Sequence, residues 1–404
     1  MTMKRIIGPL SNCSLSCRIL SGLRLGLGML PLLLAAGTTR GQGTVLAWGV
    51  NNGGQLVPPP GLTNVIAVSA GSSHTLALNA DGTAAAWGAN NYGQLNIPTS
   101  VPGSTNGSNR LTDLVAIAAG GWHSLALRSN GTVVAWGLST YGATTVPSGL
   151  NGVTAISAAI HHSLALRNNG TVVEWGRYSS SVPLGVPAGL TNVTAIAAGN
   201  SHDVALLADG HVVAWGDNFL GQTNVPAGLS DVMAIAAGDN HTLALTRDGT
   251  LVTWGYRCCN LTNIPPNLTN ILAIAAGGEQ SVVLRADGTM IAWGQYNKQF
   301  DVFVPGGLAN VSAVAAGEWD TVALILNQFL PWQPLDYFPS STSISNGFRL
   351  SVWSLANHGV VVVASSNLVD WEPIFTNPPG GGLRTFNDIT AQGRESRFYR
   401  GLIQ

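Results

Sequence analysis

Seven Trp-Gly pairs, at Trp48, Trp87, Trp136, Trp175, Trp215, Trp254 and Trp293, recur at spacings of 39, 49, 39, 40, 39 and 39 residues. A fixed period of this size marks a repeat architecture, in which each unit buries its apolar face only against its neighbours. Two further patterns keep the same beat. One is a run of small and branched residues: VIAVSAG from Val65, VAIAAG from Val115, VTAISAA from Val153, VTAIAAG from Val193, VMAIAAG from Val232, ILAIAAG from Ile271 and VSAVAAG from Val311. The other is an apolar triplet (LAL, VAL or VVL) beginning at Leu76, Leu125, Leu164, Val204, Leu243, Val282 and Val322. The one long spacing holds a Gly-, Ser- and Asn-rich insertion over 101–110, which reads as a loop.

Asp-Gly or Asn-Gly lies between triplet and Trp-Gly, at Asp81, Asn130, Asn169, Asp209, Asp248 and Asp287. These dipeptides supply the positive φ of a tight turn and predict a two-residue hairpin. A mean strand is about 5–6 residues and a connection about 4. Four of each fill the period, so the unit is predicted to be a four-stranded antiparallel blade. The small residues of the VxAIAAG run suit a strand crowded on both faces.

The fold class that follows is all-β, a seven-bladed β-propeller closed by the N-terminal strand. The last unit, Val311 to Asn327, lacks a Gly turn and a Trp-Gly strand; Trp332 keeps the spacing, but Pro331 precedes it and Gln333 replaces the glycine. The missing piece stands at 42–49, as GTVLAWG after Gln42, an end of a unit with no beginning. Docked beside Val322–Leu326 it would seal the ring and remove both free sheet edges.

Charged residues make up only 9% of the chain, against about a quarter in ordinary domains. Residues 1–41 carry Lys4, Arg5, Arg18, Arg24 and Arg40 and no acid, so the remainder is net acidic with no cluster of Lys and Arg. Phosphate backbones require such clusters, which argues against a nucleic-acid partner. Within 1–41 an apolar run from Leu25 to Ala36 follows basic residues and precedes small ones. It is shorter than the roughly 20 residues a membrane span needs, and reads as a secretory signal cleaved between 36 and 42. Translation from Met29 is an open alternative. No later segment reads as a membrane span. The predicted location is secreted, periplasmic or cell-surface.

The string from Val212 to Thr250, VVAWGDNFLGQTNVPAGLSDVMAIAAGDNHTLALTRDGT, resembles the repeat of the regulator-of-chromosome-condensation family. The resemblance covers all seven units and implies a seven-bladed β-propeller. The short unit with a V-P-x-G-L link (Val225 to Leu229) is most similar to a secreted bacterial branch that contains a β-lactamase inhibitor protein. The resemblance implies that partners are held by the short loops after the AAG strand. Aligned onto this chain, those loops offer Ser73, Trp122, His161, Asn200, Asp239, Glu279, Glu318 and Trp319 as partner-binding residues. Trp122 and Trp319 are the aromatic anchors, and aromatic anchors carry much of the energy of protein interfaces. Asp239, Glu279, Glu318 and Asp320 make the later loops acidic, a surface for a basic patch, a cation or a sugar.

His74, His123, His162, His202 and His241 occupy one position of the repeat, with Gln280 and Asp320 in its last two copies. A metal requires ligands about 2.0–2.1 Å away, and equivalent residues on neighbouring blades stand too far apart to converge. A structural role is predicted instead, each imidazole bonding nearby backbone. Cys258 and Cys259 replace the usual loop residues after Trp254, as a strained vicinal disulfide or as two free thiols. No nucleophile elbow, zinc-protease motif or phosphate loop is present, so neither catalysis nor a cofactor is predicted. After 328 the repeats stop; a Pro-rich linker (329–345) leads to a small β-sandwich-like module (346–404). The predicted function is a secreted, non-enzymatic scaffold that presents one loop face to an extracellular or surface protein. The alternatives are a carbohydrate-binding or carbohydrate-cleaving propeller, or a β-lactamase-inhibitor-like protein.

Overall fold

The computed structural model describes residues 43–99, 111–176, 185–256, 260–296 and 300–326, together with five tail strands within 348–403. Every described strand pair is antiparallel and the chain is all-β. Seven sheets follow the sequence period. Blade one is β2 (Val65–Ala70), β3 (His74–Asn79) and β4 (Ala84–Gly88); blade two is β5 (Leu114–Ala119), β6 (His123–Arg128) and β7 (Val133–Gly137). Blade three is β8 (Val153–Ala158), β9 (His162–Arg167) and β10 (Val172–Gly176); blade four is β11 (Val193–Ala198), β12 (His202–Leu207) and β13 (Val212–Gly216). Blade five is β14 (Val232–Ala237), β15 (His241–Thr246) and β16 (Leu251–Gly255). Blade six holds β17 (Ile271–Ala276), β18 (Gln280–Arg285), β19 (Met290–Tyr296) and β20 (Phe300–Asp301).

Blade seven is assembled from both ends of the ring. β21 (Val311–Ala316) pairs with β22 (Asp320–Leu326), and the N-terminal β1 (Gly43–Gly49) completes the sheet on the far side of β22. Its register sets Thr44 opposite Ile325 and Trp48 opposite Thr321. Alternating side chains of β1 then face two different neighbours. Val45 and Ala47 pack with Val65, Val68 and Trp87 of blade one. Leu46 and Trp48 pack with Val282, Leu284 and Met290 of blade six. The molecule therefore has no single central core; seven apolar layers lie between adjacent blades.

Two sequence features explain the close fit at the axis. The AAG glycines lie so near the next blade that a Cβ on Gly277 would stand 1.9 Å from the Gly317 carbonyl oxygen, and one on Gly317 would stand 2.7 Å from that of Gly71. The glycine of Trp-Gly has a positive φ, as at Gly88 (+108°), and a Cβ there would stand 2.6 Å from the Ser73 carbonyl. Only glycine meets both demands without strain.

Three local details differ from the sequence reading. Among the described residues only blade six has a fourth strand, the two-residue β20. Elsewhere the segment after Trp-Gly bonds to itself: Gly93 N donates to Asn90 O at 3.3 Å, Asn96 N to Gly93 O at 3.0 Å and Leu95 N to Asn90 Oδ1 at 2.9 Å. Pro98 and Pro147, which follow, bring no N–H to a ladder. The hairpins are three-residue rather than two-residue connections. Gly82 N donates to Asn79 O, Asn79 N donates to Thr83 O, and Gly82 alone takes a positive φ (+78°). That is a type I turn closed by a left-handed glycine, fixed by Asp81 Oδ1, which accepts from Thr83 N. Each inner strand also carries a bulge after its first residue, as between Val65 and Ala67, which bends it toward the axis.

In the tail, β23 (Phe348–Ser354) pairs with β26 (Gly382–Asp388), and β24 (Val360–Ser365) lies between β25 (Glu372–Asn377) and β27 (Phe398–Ile403). These are two small sheets in contact, as a sandwich-like module requires. The leader (1–41), the linker (329–345), the insertion at 101–110 and Cys258–Cys259 lie outside the described residues.

Trp48 is 2% exposed and its Nε1 donates to Phe303 O at 2.7 Å, tying β1 to blade six. Trp48→Ala is expected to cost about 3–5 kcal/mol, read as a lower urea midpoint. Removing 43–49 should abolish the cooperative transition and give oligomers on size exclusion, because β22 is left as an open edge; an unchanged melt would refute the closure.

Candidate protein-binding face

Each middle strand begins opposite the end of an outer strand: His74 pairs with Gly88, and His123 with Gly137. The short loop after AAG and the longer loop after Trp-Gly therefore emerge at the same end of every blade. One face collects both sets around the central channel, whose wall is the AAG segments and the residues just after them.

The face has two halves. Over blades one to three runs an aromatic ridge. Tyr92 and Trp122 have ring centroids 6.0 Å apart, Trp122 and His161 5.0 Å, and Tyr141 and His161 4.2 Å. Tyr92 is 49% exposed and Tyr141 41%. Burial, then neighbouring His162, pushes His161 below the ordinary imidazole range, so it stands neutral between two rings. Of these residues the sequence reading named Trp122 and His161. Tyr92 and Tyr141 were missed because they come from the Trp-Gly loops, whose position on this face depends on the register of the outer strand. Phe219, 89% exposed, comes from the equivalent loop of blade four.

Over blades five to seven the channel mouth is acidic. Asp239 and Glu318 line it, and Asp239 is pushed up to about 7 by burial, then by Glu318 and Glu279. Burial also raises Glu318, partly offset by a hydrogen bond from Ser72. Asp320, below the mouth, is fully buried and raised well above the carboxylate range by burial and by Glu318, and neither of its carboxylate oxygens has a hydrogen-bond partner. Asn200 lines the channel with its Oδ1 buried and unpartnered. Ser73 is half-buried, and its carbonyl accepts from Ala89 N at 2.8 Å. Trp319 is half-buried too, its carbonyl accepting from Val50 N at 2.9 Å.

Beneath the loops the histidines bond blade to blade through side-chain hydroxyls, a partner the sequence reading did not name, while the backbone bonds it expected occur at His202 with Asp239 and at His241 with Gln280. His74 Nε2 meets Ser124 Oγ at 2.9 Å, His123 meets Ser163 at 2.9 Å, His202 meets Thr242 at 2.9 Å and His241 meets Ser281 at 3.0 Å. Ser124 Oγ in turn donates to Gln94 O at 3.0 Å, the carbonyl that also accepts from Trp136 Nε1 at 2.8 Å. A hydroxyl has one proton, and here it is spent on the carbonyl, so Nε2 must be the donor and Nδ1 carries none. In the sixth copy Gln280 does the same work, donating to Gly317 O and Asp320 O and accepting from Thr321 Oγ1. The hydroxyl partner follows from the tight AAG turn, which brings the next blade within reach of the ring.

His162 differs. Its Nε2 meets a carboxylate, Asp203 Oδ1, at 2.9 Å. Burial opposes its charge, but Asp203 and then Glu174 outweigh that, and its pKa is raised. Glu174 is pushed up to about 7 by burial, then by Asp203. Its Oε2 accepts from Trp215 Nε1 at 3.2 Å. Neither acid figured in the sequence reading, although both depart from the repeat: Glu174 stands where Ala86, Ala135 and Ala214 stand, and Asp203 where serine or threonine stands in the other copies.

A family model described as the regulator of chromosome condensation (RCC1) repeat matches residues 65–94, 114–143, 193–222 and 233–260, in blades one, two, four and five. No curated protein sequence matches the chain. Among solved structures, Prp20p from Saccharomyces cerevisiae, described with its binding properties to Gsp1p and histones, is 22% identical, with a TM-score of 0.58 over 76% of this chain and 94% of that one. Yeast RCC1 (Prp20) in its complex with Kap60 is 21% identical, with a TM-score of 0.59 over 81% and 97%. The ectodomain of the Arabidopsis thaliana receptor kinase ACR4 is 20% identical, with a TM-score of 0.50 over 64% and 90%.

The buried histidines give the chain a defined acid sensitivity. Burial depresses His74 and His241 to about 4 and His123 and His202 to about 3. The unfolded chain takes up these protons near pH 6.5 while the folded chain refuses them, so stability is lost as pH falls from 6.5 toward 4. Asp239 works oppositely, its contribution being full below 3.8 and lost as pH rises through about 7. His202→Gln, which installs the residue of the sixth copy, is expected to fold and to lose about 2 kcal/mol less than the parent between pH 6.5 and 4 in urea titrations. An identical pH slope would disprove the neutral-imidazole assignment.

Proposed function

The chain is a propeller of regulator of chromosome condensation (RCC1) repeats, and from that premise we propose that it is a secreted, non-enzymatic scaffold whose loop face grips a protein partner. The observation that carries the proposal is the ridge of Tyr92, Trp122, His161 and Tyr141 across three blades. Rings held by one another lose little conformational freedom on binding, and exposed aromatic anchors are the usual hot spots of protein interfaces. The acidic mouth beside them sets orientation and favours a partner whose edge is basic. One RCC1 propeller of similar fold, yeast Prp20, is described with protein partners, Gsp1p and histones in one structure and Kap60 in another.

Secretion is supported by the leader, with its basic residues, apolar run and small residues before 42. The similar fold of a receptor ectodomain accords with an extracellular propeller. Among the described residues no helix is long and apolar enough to cross a membrane. On this reading the mature chain is a propeller over 42–328, joined by a linker at 329–345 to a small module at 346–404 that places it near a surface or a neighbour.

The test is affinity capture from a secreted and surface proteome with the full mature chain as bait. A saturable protein ligand is expected, weakened at least tenfold by Trp122→Ala combined with Tyr141→Ala, since loss of a hot-spot ring costs about 2 kcal/mol or more. The double variant should still fold with the parent's circular dichroism, because Tyr141 is exposed and Trp122, though half-buried, lies in a loop outside the layers between blades. Binding to a glycan array that disappears in the same variant would replace the protein-scaffold reading with a carbohydrate-binding one.

A further inference from the structure

The geometry points to a divalent transition-metal site at the junction of blades three and four, formed by His162, Glu174 and Asp203. One ligand atom from each lies within 4.8 Å of the other two. His162 Nε2 and Asp203 Oδ1 are already 2.9 Å apart. Metal–ligand bonds of about 2.0–2.2 Å in a tetrahedral set place ligand atoms roughly 3.3 Å from one another. To reach that geometry the His162–Asp203 pair opens slightly and Glu174 closes by up to about 1.5 Å.

All three residues sit on strands. His162 opens β9, Asp203 is the second residue of β12, and Glu174 is the third residue of β10, paired with Leu164 of the same blade. Strand positions hold ligands more precisely than loops do. His162 and Asp203 are buried, while Glu174 is half-exposed, which leaves one side for entry of the ion and for a water ligand. Trp215 Nε1, bonded to Glu174 Oε2, orients that carboxylate from behind, as outer partners of metal ligands do.

The second observation is the repeat itself. In the sister blades a histidine meets a hydroxyl across the junction, and the outer-strand position carries alanine or, at Thr253, threonine. Only at this junction do two acids replace them, and both replacements fall around the same imidazole. Trp215 Nε1 bonds Glu174 Oε2, a side-chain acceptor that the alanines of the sister blades do not offer. Among the described residues no lysine or arginine pairs with either acid. In the metal-bound form, with both carboxylates ionised and the imidazole neutral, the trio carries two negative charges, which a divalent cation cancels. Binding exchanges the His162–Asp203 hydrogen bond for two metal bonds: Nε2 gives up its proton, the imidazole keeps one proton on Nδ1, and any further proton held by His162 or Glu174 is released to solvent. Mixed imidazole and carboxylate donors suit Zn²⁺ and its first-row neighbours, whereas Ca²⁺ and Mg²⁺ prefer all-oxygen sets. This site is distinct from a ring of equivalent histidines: it takes one histidine of that ring and two acids from its own and the next blade. The ion would clamp blade three to blade four beneath the aromatic ridge.

The full mature chain, stripped with a chelator, would be titrated with Zn²⁺ by calorimetry and melted with and without it; Co²⁺ would serve as the spectroscopic probe. The expected result is one bound ion per chain, a melting temperature raised by the ion, and visible Co²⁺ bands of a four- or five-coordinate centre. Glu174→Ala and Asp203→Ser restore what sister blades carry, so both should fold with the parent's circular dichroism and bind Zn²⁺ at least tenfold more weakly. The assignment is overturned if the parent shows no Zn²⁺-dependent shift, leaving the trio a proton-sharing ion pair. It is equally overturned if the shift survives in both variants, or if Ca²⁺ or Mg²⁺ produces it as well.

Discussion

The whole arrangement rests on the pairing of β1 with β22. A blade of three strands is marginal alone, because its two faces stay wet until a neighbour covers them. A row of blades would leave two such faces at its ends. By completing the last sheet with the first strand, the chain gives every blade two neighbours and covers both of its apolar faces. Leu46 and Trp48 then serve one junction while Val45 and Ala47 serve the next. The glycine contacts at the axis close in the same way, from Gly317 back to Gly71.

Closure also dictates where function is placed. With all described strands antiparallel and in one register, the described loops of both kinds fall on one end of the ring. The repeat makes those positions equivalent in backbone, and function then depends on departures in side chain. Aromatic residues gather over blades one to three, and carboxylates over blades five to seven. A symmetric scaffold thus presents an asymmetric surface, with rings to supply binding energy on one side and charge to orient the partner on the other.

The layer beneath the loops shows how polar groups are admitted into such a crowded interior. Imidazole, hydroxyl and loop carbonyl form a short relay in which each proton has an assigned place, and the tryptophan indole shares the last acceptor. Buried polar groups are tolerated when satisfied in this way. At His162 a carboxylate, Asp203, replaces the hydroxyl of the relay, and Glu174 accepts from the Trp215 indole. Two acids in one junction therefore form a local chemistry that the other junctions lack.

Much of this was legible in the sequence. The period, the Trp-Gly pair and the AAG run determined the number of blades, and the unmatched segment at 42–49 determined how the ring closes, because an unpaired strand edge must find a partner. Trp122 and His161 were readable as loop residues through the family resemblance, which singles out the loop after each AAG strand. Tertiary structure alone decided what lies across a junction. A repeat pattern specifies a residue's place within its own blade but not which atom of the next blade it meets. The histidine partners, the union of Tyr92 and Tyr141 with Trp122, and the meeting of Glu174 with Asp203 all depend on inter-blade distances of a few ångströms. Those distances are set by how closely glycine lets neighbouring backbones approach.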